Sequence, residues 1–266
     1  MKIKIPLYLL ISFLFLGFSF QKNRIDDKYK VIKVNGSIQI KKTGKPLVQG
    51  DIFQENTSLQ FNSPDSKATV INGEKGRFVI TNQSSAAKGN NLIPAINNVA
   101  SRGGAILTII DLQNFFQGNI CVIDKMKIKI ACSDYKMSAD NFFYIQYVYK
   151  GENINKPLTY SGDSLNISKI ELYKVDGKAI EAPDGPQVTL YYRDNIKKTA
   201  QLISTFNLVF PNENDLVQEI KIMIAELKTK TSAQKTDEVM SYLNEFYGKP
   251  DKDNVQPWLN NKFGIK

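Results

Sequence analysis

The chain contains no histidine. That absence removes Ser-His-Asp and Cys-His nucleophilic sites, every zinc site that includes an imidazole, and the side chain that most often moves protons near neutral pH. Cysteine is almost as scarce. The two thiols, Cys121 and Cys132, cannot complete an all-cysteine zinc site, which needs four. Tryptophan occurs once, and Trp258 sits where it anchors a C-terminal helix. Beyond residue 20 no segment is apolar enough to span a bilayer. Carboxylates are outnumbered, 26 Asp and Glu against 35 Lys and Arg, which leaves a net charge of +9.

The one long apolar run lies at the start of the chain. Lys2 and Lys4 form a positive n-region, residues 7–16 are apolar except for Ser12, and Gly17 and Ser19 are the small residues before a cut at Phe20. The run over residues 5–20 is about 16 residues with Pro6 inside it, short of the roughly 20 that a spanning helix needs. Residues 1–19 therefore read as a cleavable signal peptide, with no membrane span after cleavage. No cysteine follows the apolar run to carry a lipid. The mature chain of about 247 residues is expected outside the inner membrane, in the periplasm or secreted to the cell surface, and is long enough for one large or two modest cores.

Losing Lys2 and Lys4 lowers the net charge from +9 to +7. Such an excess could favour acidic glycans, anionic lipids or nucleic acid. Here the lysines are scattered, and many alternate with apolar residues, as Lys125, Lys127 and Lys129 do. That is the pattern of a wet strand face whose charges discourage edge-to-edge pairing, so no nucleic-acid partner is expected. Cys121 and Cys132 admit two readings. On one continuous strand they stand ~36 Å apart, beyond bonding reach; if the chain turns between them they become a candidate disulfide.

Residues 29–81 read as short strands separated by turns. Val31, Val34, Ile38 and Ile40 alternate with polar residues around Asn35-Gly36; further turns fall at Thr43-Gly44-Lys45-Pro46, Gln49-Gly50-Asp51, Asn62-Ser63-Pro64-Asp65 and Asn72-Gly73. Strands this short and evenly spaced make a small sandwich or barrel. Residues 83–104, rich in Asn, Ser, Ala and Gly, read as a linker or long loop. Residues 105–210 are mostly β. A short helix over 111–117 precedes strands at 120–131, 142–149, 165–175 (a pair or one bent strand), 188–192 and 206–210. The C-terminus turns helical. Asn212 or Asn214 is the cap, Leu216, Ile220, Met223, Ile224 and Leu227 form an apolar stripe, and Glu219 and Glu226 are placed on the wet side. A second helix over 235–247 stops at Gly248 before Pro250, and a last helical turn carries Trp258, Leu259 and Phe263.

Within this pattern Val34-Asn35-Gly36-Ser37-Ile38, Gly44-Lys45-Pro46-Leu47, Gly50-Asp51-Ile52-Phe53, Leu59-Gln60-Phe61 and Ser66-Lys67-Ala68 follow one another in order. On these turn and strand-entry signals, residues 30–81 resemble the FecR-type extracytoplasmic domain, a small β module. The resemblance covers about one fifth of the chain. It implies an extracytoplasmic, non-enzymatic module that contacts proteins or ligands. The export signal directly precedes the β module, so the family's cytoplasmic segment, and with it regulation of a sigma factor, does not carry over.

Three Ser-x-x-Lys matches (Ser85 with Lys88, Ser133 with Lys136, Ser232 with Lys235) and the triplet Lys42-Thr43-Gly44 resemble signatures of penicillin-recognising serine enzymes. Their order is wrong, and in a chain rich in Ser and Lys such matches arise by chance. Asp251, Asp253 and Asn254 begin like a calcium loop, but Val255 stands where an oxygen ligand is needed. Glu171 and Glu181 flank a hairpin as a carboxylate pair for glycosidic chemistry, but nothing fixes their separation and exposed strand acids are ordinary. No catalytic, cofactor-binding or metal-binding residue is assigned and no cofactor is expected. Tyr144, Tyr147, Tyr149, Tyr191 and Tyr192 form the candidate binding surface, with half of the chain's strand tyrosines expected in the core by alternation.

The expected fold is mainly β, α+β overall. A FecR-like β module over 28–82 is followed by the 83–104 linker and a β-rich domain over 105–266, closed by helices from about 213. The expected function is that of an exported, non-catalytic envelope protein binding a protein partner. A glycan- or cell-wall-binding module is the alternative, and a histidine-free hydrolase the third reading. Intact-mass measurement of the exported protein should give a chain beginning at Phe20; a mass that retains residues 1–19 contradicts cleavage.

Overall fold

The computed structural model describes residues 27–82, 92–95 and 105–266. The signal segment, most of the expected linker and the Ser85 with Lys88 match lie outside the described residues. The fold is mainly β with helices gathered at the C-terminus.

In the N-terminal module, β1 (Lys28–Asn35), β3 (Ile52–Gln54), β5 (Lys67–Asn72), β6 (Gly76–Thr81) and β7 (Ile93–Pro94) form an antiparallel sheet in the order β3-β1-β5-β6-β7. A second sheet pairs β2 (Ile38–Ile40) with β4 (Leu59–Phe61). Tyr29, Val31, Ile38, Phe53, Leu59 and Val70 fill the space between them. The turns do what their residues predict. Gly36 has φ +77°, and a Cβ on it would stand 2.5 Å from Ser66 Oγ, so only glycine fits. Asp51 accepts a hydrogen bond from the Val48 N–H at 3.1 Å and fixes its own turn. Leu92–Ala95 departs from the linker reading. Its residues Ile93 and Pro94 add an edge strand to the sheet, and Pro94, which has no N–H to leave unpaired, suits an edge.

The second unit is a sandwich. The chain enters it through α1 (Ile109–Phe115). Its larger sheet has the order β11-β10-β16-β17-β8-β18, formed by β8 (Asn119–Cys121), β10 (Asn141–Tyr149), β11 (Glu152–Pro157), β16 (Gln187–Asp194), β17 (Thr199–Val209) and β18 (Lys249–Pro250). β8 runs parallel to both of its neighbours. A smaller sheet packs across it in the order β12-β13-β9, from β9 (Lys125–Lys129), β12 (Thr159–Ser161) and β13 (Ser164–Ser168). The core between them includes Phe143, Ile145, Leu190 and Phe206 from one sheet and Met126, Ile128, Leu165 and Ile167 from the other.

Two expected strands are broken. Asp124, at φ 62°, turns the chain after β8, so residues 120–131 feed two different sheets instead of one strand. Residues 165–175 end β13 at Ser168, coil through α2 (Lys169–Leu172), and enter the hairpin of β14 (Lys174–Val175) and β15 (Lys178–Ala179), whose turn residues Asp176 and Gly177 both have positive φ. The first break decides the cysteine question. Cys121 belongs to a core beneath the C-terminal helices and Cys132 to the sandwich core; both are buried, free thiols, and the candidate disulfide is not made.

Three helices close the molecule: α3 (Glu213–Glu226), α4 (Ser232–Phe246) and α5 (Lys252–Phe263). Each starts on a side-chain cap. Asn212 accepts from the N–H groups of Asn214 and Asp215, Thr231 and Gln234 make a reciprocal capping box, and Asp251 accepts from Asn254 N–H. The stripe of Leu216, Ile220, Met223 and Leu227 packs with Val239, Met240, Leu243 and Leu259. The same core takes in Ile32 and Ile71 from the N-terminal module and Cys121 from the sandwich. The helices thus fill the space between the two β units.

Contact with the N-terminal module depends on a bulge in β1. Val31 pairs with Val70 and Lys33 with Thr69, which leaves Ile32 as an extra residue. Ile32 and Lys33 both turn to the helices as a result. Glu219, expected on the wet side of α3, is 2% exposed. It accepts hydrogen bonds from Lys33 Nζ at 2.8 Å and from Tyr247 Oη at 2.7 Å. Nearby, Arg77 of β6 pairs with Glu245 and donates to Ser241 Oγ, and Lys30 lies 3.7 Å from Glu226. Truncating one partner of a buried pair strands the other. Lys33→Met should lower stability by about 3 kcal/mol in urea unfolding. The Lys33→Met, Glu219→Leu double variant should recover much of that loss; an additive double variant contradicts the coupling.

Candidate functional site

The sandwich sheet has two faces with different fates. Along β10, Phe143, Ile145 and Tyr147 point into the sandwich, so Phe142, Tyr144, Gln146 and Val148 point out. The register carries this alternation across the sheet. Tyr144 lies opposite Tyr191 and Pro157, Gln146 opposite Thr189 and Asn155, and Tyr191 opposite Leu202. The helices cover the β8 side of the outward face, where Cys121 enters their core. Over β11, β10, β16 and β17 the outward residues include Val148 and Leu202, 43% and 53% exposed.

This divides the five candidate tyrosines. Tyr147 is 2% exposed and its hydroxyl donates to the Leu172 carbonyl at 2.6 Å, so it is a core residue and not part of a binding surface. Tyr149 and Tyr192 lie on the same inward side, packed against the sandwich core, and Tyr192 Oη donates to the Lys136 carbonyl at 2.8 Å. The strand period removes these three from the surface. Tyr144 and Tyr191 remain, with ring centroids 5.0 Å apart and planes 8° from parallel. At that separation near-parallel rings form an offset stack; side by side in one plane they would collide. The pair stands up from the sheet as a stacked wall.

Beside the wall is an open cleft of about 270 Å³, lined by Phe142, Tyr144, Asn155, Pro157 and Arg193. Partial burial, with a smaller push from Tyr191, raises the Tyr144 phenol above its ordinary pKa, and the Arg193 charge pulls the other way. Arg193 donates from Nε to Asn195 Oδ1 at 2.9 Å and, among the described residues, pairs with no carboxylate. By register, the outward positions of these four strands carry no Asp or Glu.

Beyond the cleft lies the sheet edge. β10 and β11 are joined by Lys150-Gly151, both at positive φ, and Asp184 accepts from both of their N–H groups. Those two bonds hold the Asp184 carboxyl below its ordinary pKa. β11 has no further strand beside it among the described residues.

The other candidates resolve into structural roles. Trp258 packs on Phe263 and donates from Nε1 to Glu213, tying α5 to α3. Asp251 caps α5, where burial raises its carboxyl pKa. Lys42-Thr43-Gly44 is a turn after β2, Ser133 starts a single 3-10 turn after β9, and Ser232 opens α4. Glu171 is exposed and pairs with Lys174 at 3.4 Å. Among the described residues no three His, Cys, Asp or Glu are placed to hold a metal ion, and no helix is long and apolar enough to cross a membrane. No protein-family model and no curated protein matches the chain.

The buried titratable groups give the fold a definite response to alkali. Burial pushes the Cys121 thiol up to about 12, and burial followed by the nearby Glu219 carboxylate raises the Tyr242 and Tyr247 phenols well above their ordinary values. In the unfolded chain a thiol releases its proton near pH ~8.5 and a phenol near ~10, while the folded chain retains both. The unfolded state therefore binds fewer protons above pH ~8.5, and stability falls as pH rises. The urea midpoint at pH 10 should lie below that at pH 7.5. Both thiols should resist a thiol reagent in the native protein and react in guanidinium. An unchanged midpoint, or fast native labelling, contradicts this.

Proposed function

We propose that the mature chain is an exported, non-catalytic envelope protein that binds a protein partner through the outward face and free edge of its larger sheet. The observation that carries this reading is the face over β11, β10, β16 and β17, which the described helices leave uncovered. It presents a stacked tyrosine pair, apolar residues and one arginine, and among the described residues that arginine meets no carboxylate and the face ends at a strand with no neighbour. Aromatic residues and arginine are the side chains that binding surfaces favour at their centres. The signal segment supports an envelope location, and the resemblance of residues 30–81 to FecR-type domains supports a contact-making, non-enzymatic role. A glycan reading draws on the same tyrosines. It is less well served by rings stacked on each other, because a sugar ring packs best on an aromatic face that is free.

A photo-crosslinking residue at position 146, on the outward face, tests this in intact cells. It should capture one reproducible protein, with no such adduct from a probe at position 42 in the N-terminal module. Tyr144→Ala with Tyr191→Ala should abolish the adduct while thermal melting shows the variant still folded. Adducts to glycan alone, or the same proteins from both probes, overturn the protein-binding reading.

A further inference from the structure

We propose that β11 accepts an extended segment of the partner as an added strand, and that the adjoining cleft takes an acidic side chain of that segment at Arg193. This inference rests on the protein-binding reading above.

The hydrogen-bond phase of the β10–β11 ladder supports the first part. Leu158 N–H donates to the Phe143 carbonyl at 2.9 Å, which makes that pair a hydrogen-bonded one. Pairs alternate along an antiparallel ladder, so Lys156, Ile154 and Glu152 turn their backbone groups to β10. Asn153 and Asn155 turn both N–H and C=O away from it, into the open. The charged Glu152 and Lys156 side chains share the inward-facing side with Ile154, which packs on the sandwich core. The free backbone groups therefore belong to uncharged residues. Pro157 offers no N–H, which ends the usable edge and limits the added strand to a few residues.

The second part follows from the charge on the same face. A strand laid beside β11 would send alternate side chains over the outward face, next to the cleft of Phe142, Tyr144, Asn155, Pro157 and Arg193. Arg193 is the only charged residue at an outward position of β11, β10, β16 and β17, and no carboxylate pairs with it among the described residues. An aromatic wall lowers the local dielectric beside it. Arg193 enters the cleft from β16, two strands in, so a carboxylate on a side chain that reaches across β11, Glu before Asp, is the group that complements the site.

The test is selection of a displayed random dodecapeptide library on the mature protein. The expected winners share one Asp or Glu flanked by strand-forming residues. They should bind Arg193→Gln about tenfold or more weakly. They should also lose affinity for Asn155→Pro, which removes an outward N–H that the fold itself does not use. Asn155→Thr keeps that N–H and should recover affinity that Asn155→Pro loses; thermal melting confirms that each variant is folded. Winners without an acid, or indifferent to Arg193→Gln, overturn the carboxylate assignment. Winners indifferent to Asn155→Pro overturn strand addition. Recovery of no peptide overturns both. If a protein is still captured from position 146 in any of these cases, the failure is of this inference and not of the protein-binding reading.

Discussion

The architecture depends on one interface, the meeting of a cationic sheet face with the acidic flanks of two helices. Both faces of the β1–β5–β6 sheet are in use. One buries Tyr29, Val31 and Val70 within the module, and the other presents Lys30, Ile32, Lys33, Ile71 and Arg77 to α3 and α4. A lysine and an arginine on a buried face are costly unless anions meet them. Glu219, Glu226 and Glu245 meet them, and Glu238 stands 3.9 Å from Arg77 Nε. Glu219 and Glu226 lie seven residues apart, as do Glu238 and Glu245, so each pair lines one flank of its helix. Pairs of this kind add little net stability against an apolar alternative. They penalise every docking that separates them. Together with the bulge at Ile32, they set the position of the helices on the N-terminal module and, through the shared core, the position of the sandwich.

The same helices decide which part of the sandwich stays uncovered. They sit over the β8 edge, where Cys121 enters their core, and the chain then lays β18 alongside β8. That approach is tight. A Cβ on Gly248, already at φ +99°, would stand 2.5 Å from the Asn119 carbonyl oxygen. One side of the large sheet is thereby sealed with backbone pairing and helix packing. The β11 side, at the other end of the strand order, receives no such cover among the described residues.

Features governed by local chemistry were legible in the sequence. Glycines and asparagines marked the turns of the N-terminal module, Asn212 was one of the two caps expected for α3, and alternation along 142–149 anticipated that some tyrosines would be buried. Glu219 was misread because an acid beside an apolar stripe looks solvated. On a helical wheel it lies only about 60–80° from the centre of that stripe, close enough to be covered if a partner surface exists. The seven-residue spacing to Glu226 was a usable signal, but it acquires meaning only beside Lys30 and Lys33, nearly two hundred residues away in the chain. The break at Asp124 was hidden for a related reason. The apolar run of residues 120–123 passes directly into the lysine–apolar alternation of residues 125–130, and the lone Asp between them does not by itself separate one strand from two in different sheets. Of the five tyrosines, period-two logic alone separates Tyr144 from Tyr147. Choosing which parity faces out requires knowing where the second sheet packs.

The open face has a chemistry that narrows its ligands. A catalytic surface concentrates titratable groups whose environments drive their pKa values apart. Here the outward positions hold amides, hydroxyls, aromatic rings, aliphatic residues and one guanidinium. The phenol of Tyr144 is shifted upward, towards its neutral, hydrogen-bonding form. A nucleic-acid surface needs several cations spaced along a backbone, and Arg193 is alone. A flat sugar platform needs ring faces laid open along the sheet, whereas Tyr144 and Tyr191 stack against each other. The proposed extended peptide would meet a ladder edge whose outward donors and acceptors fall at Asn153 and Asn155, an aromatic wall one strand in, and a cation that lines the adjoining cleft from the strand beyond. Backbone pairing supplies affinity that is indifferent to sequence, and a lone arginine beside an aromatic wall supplies the discrimination that backbone pairing lacks.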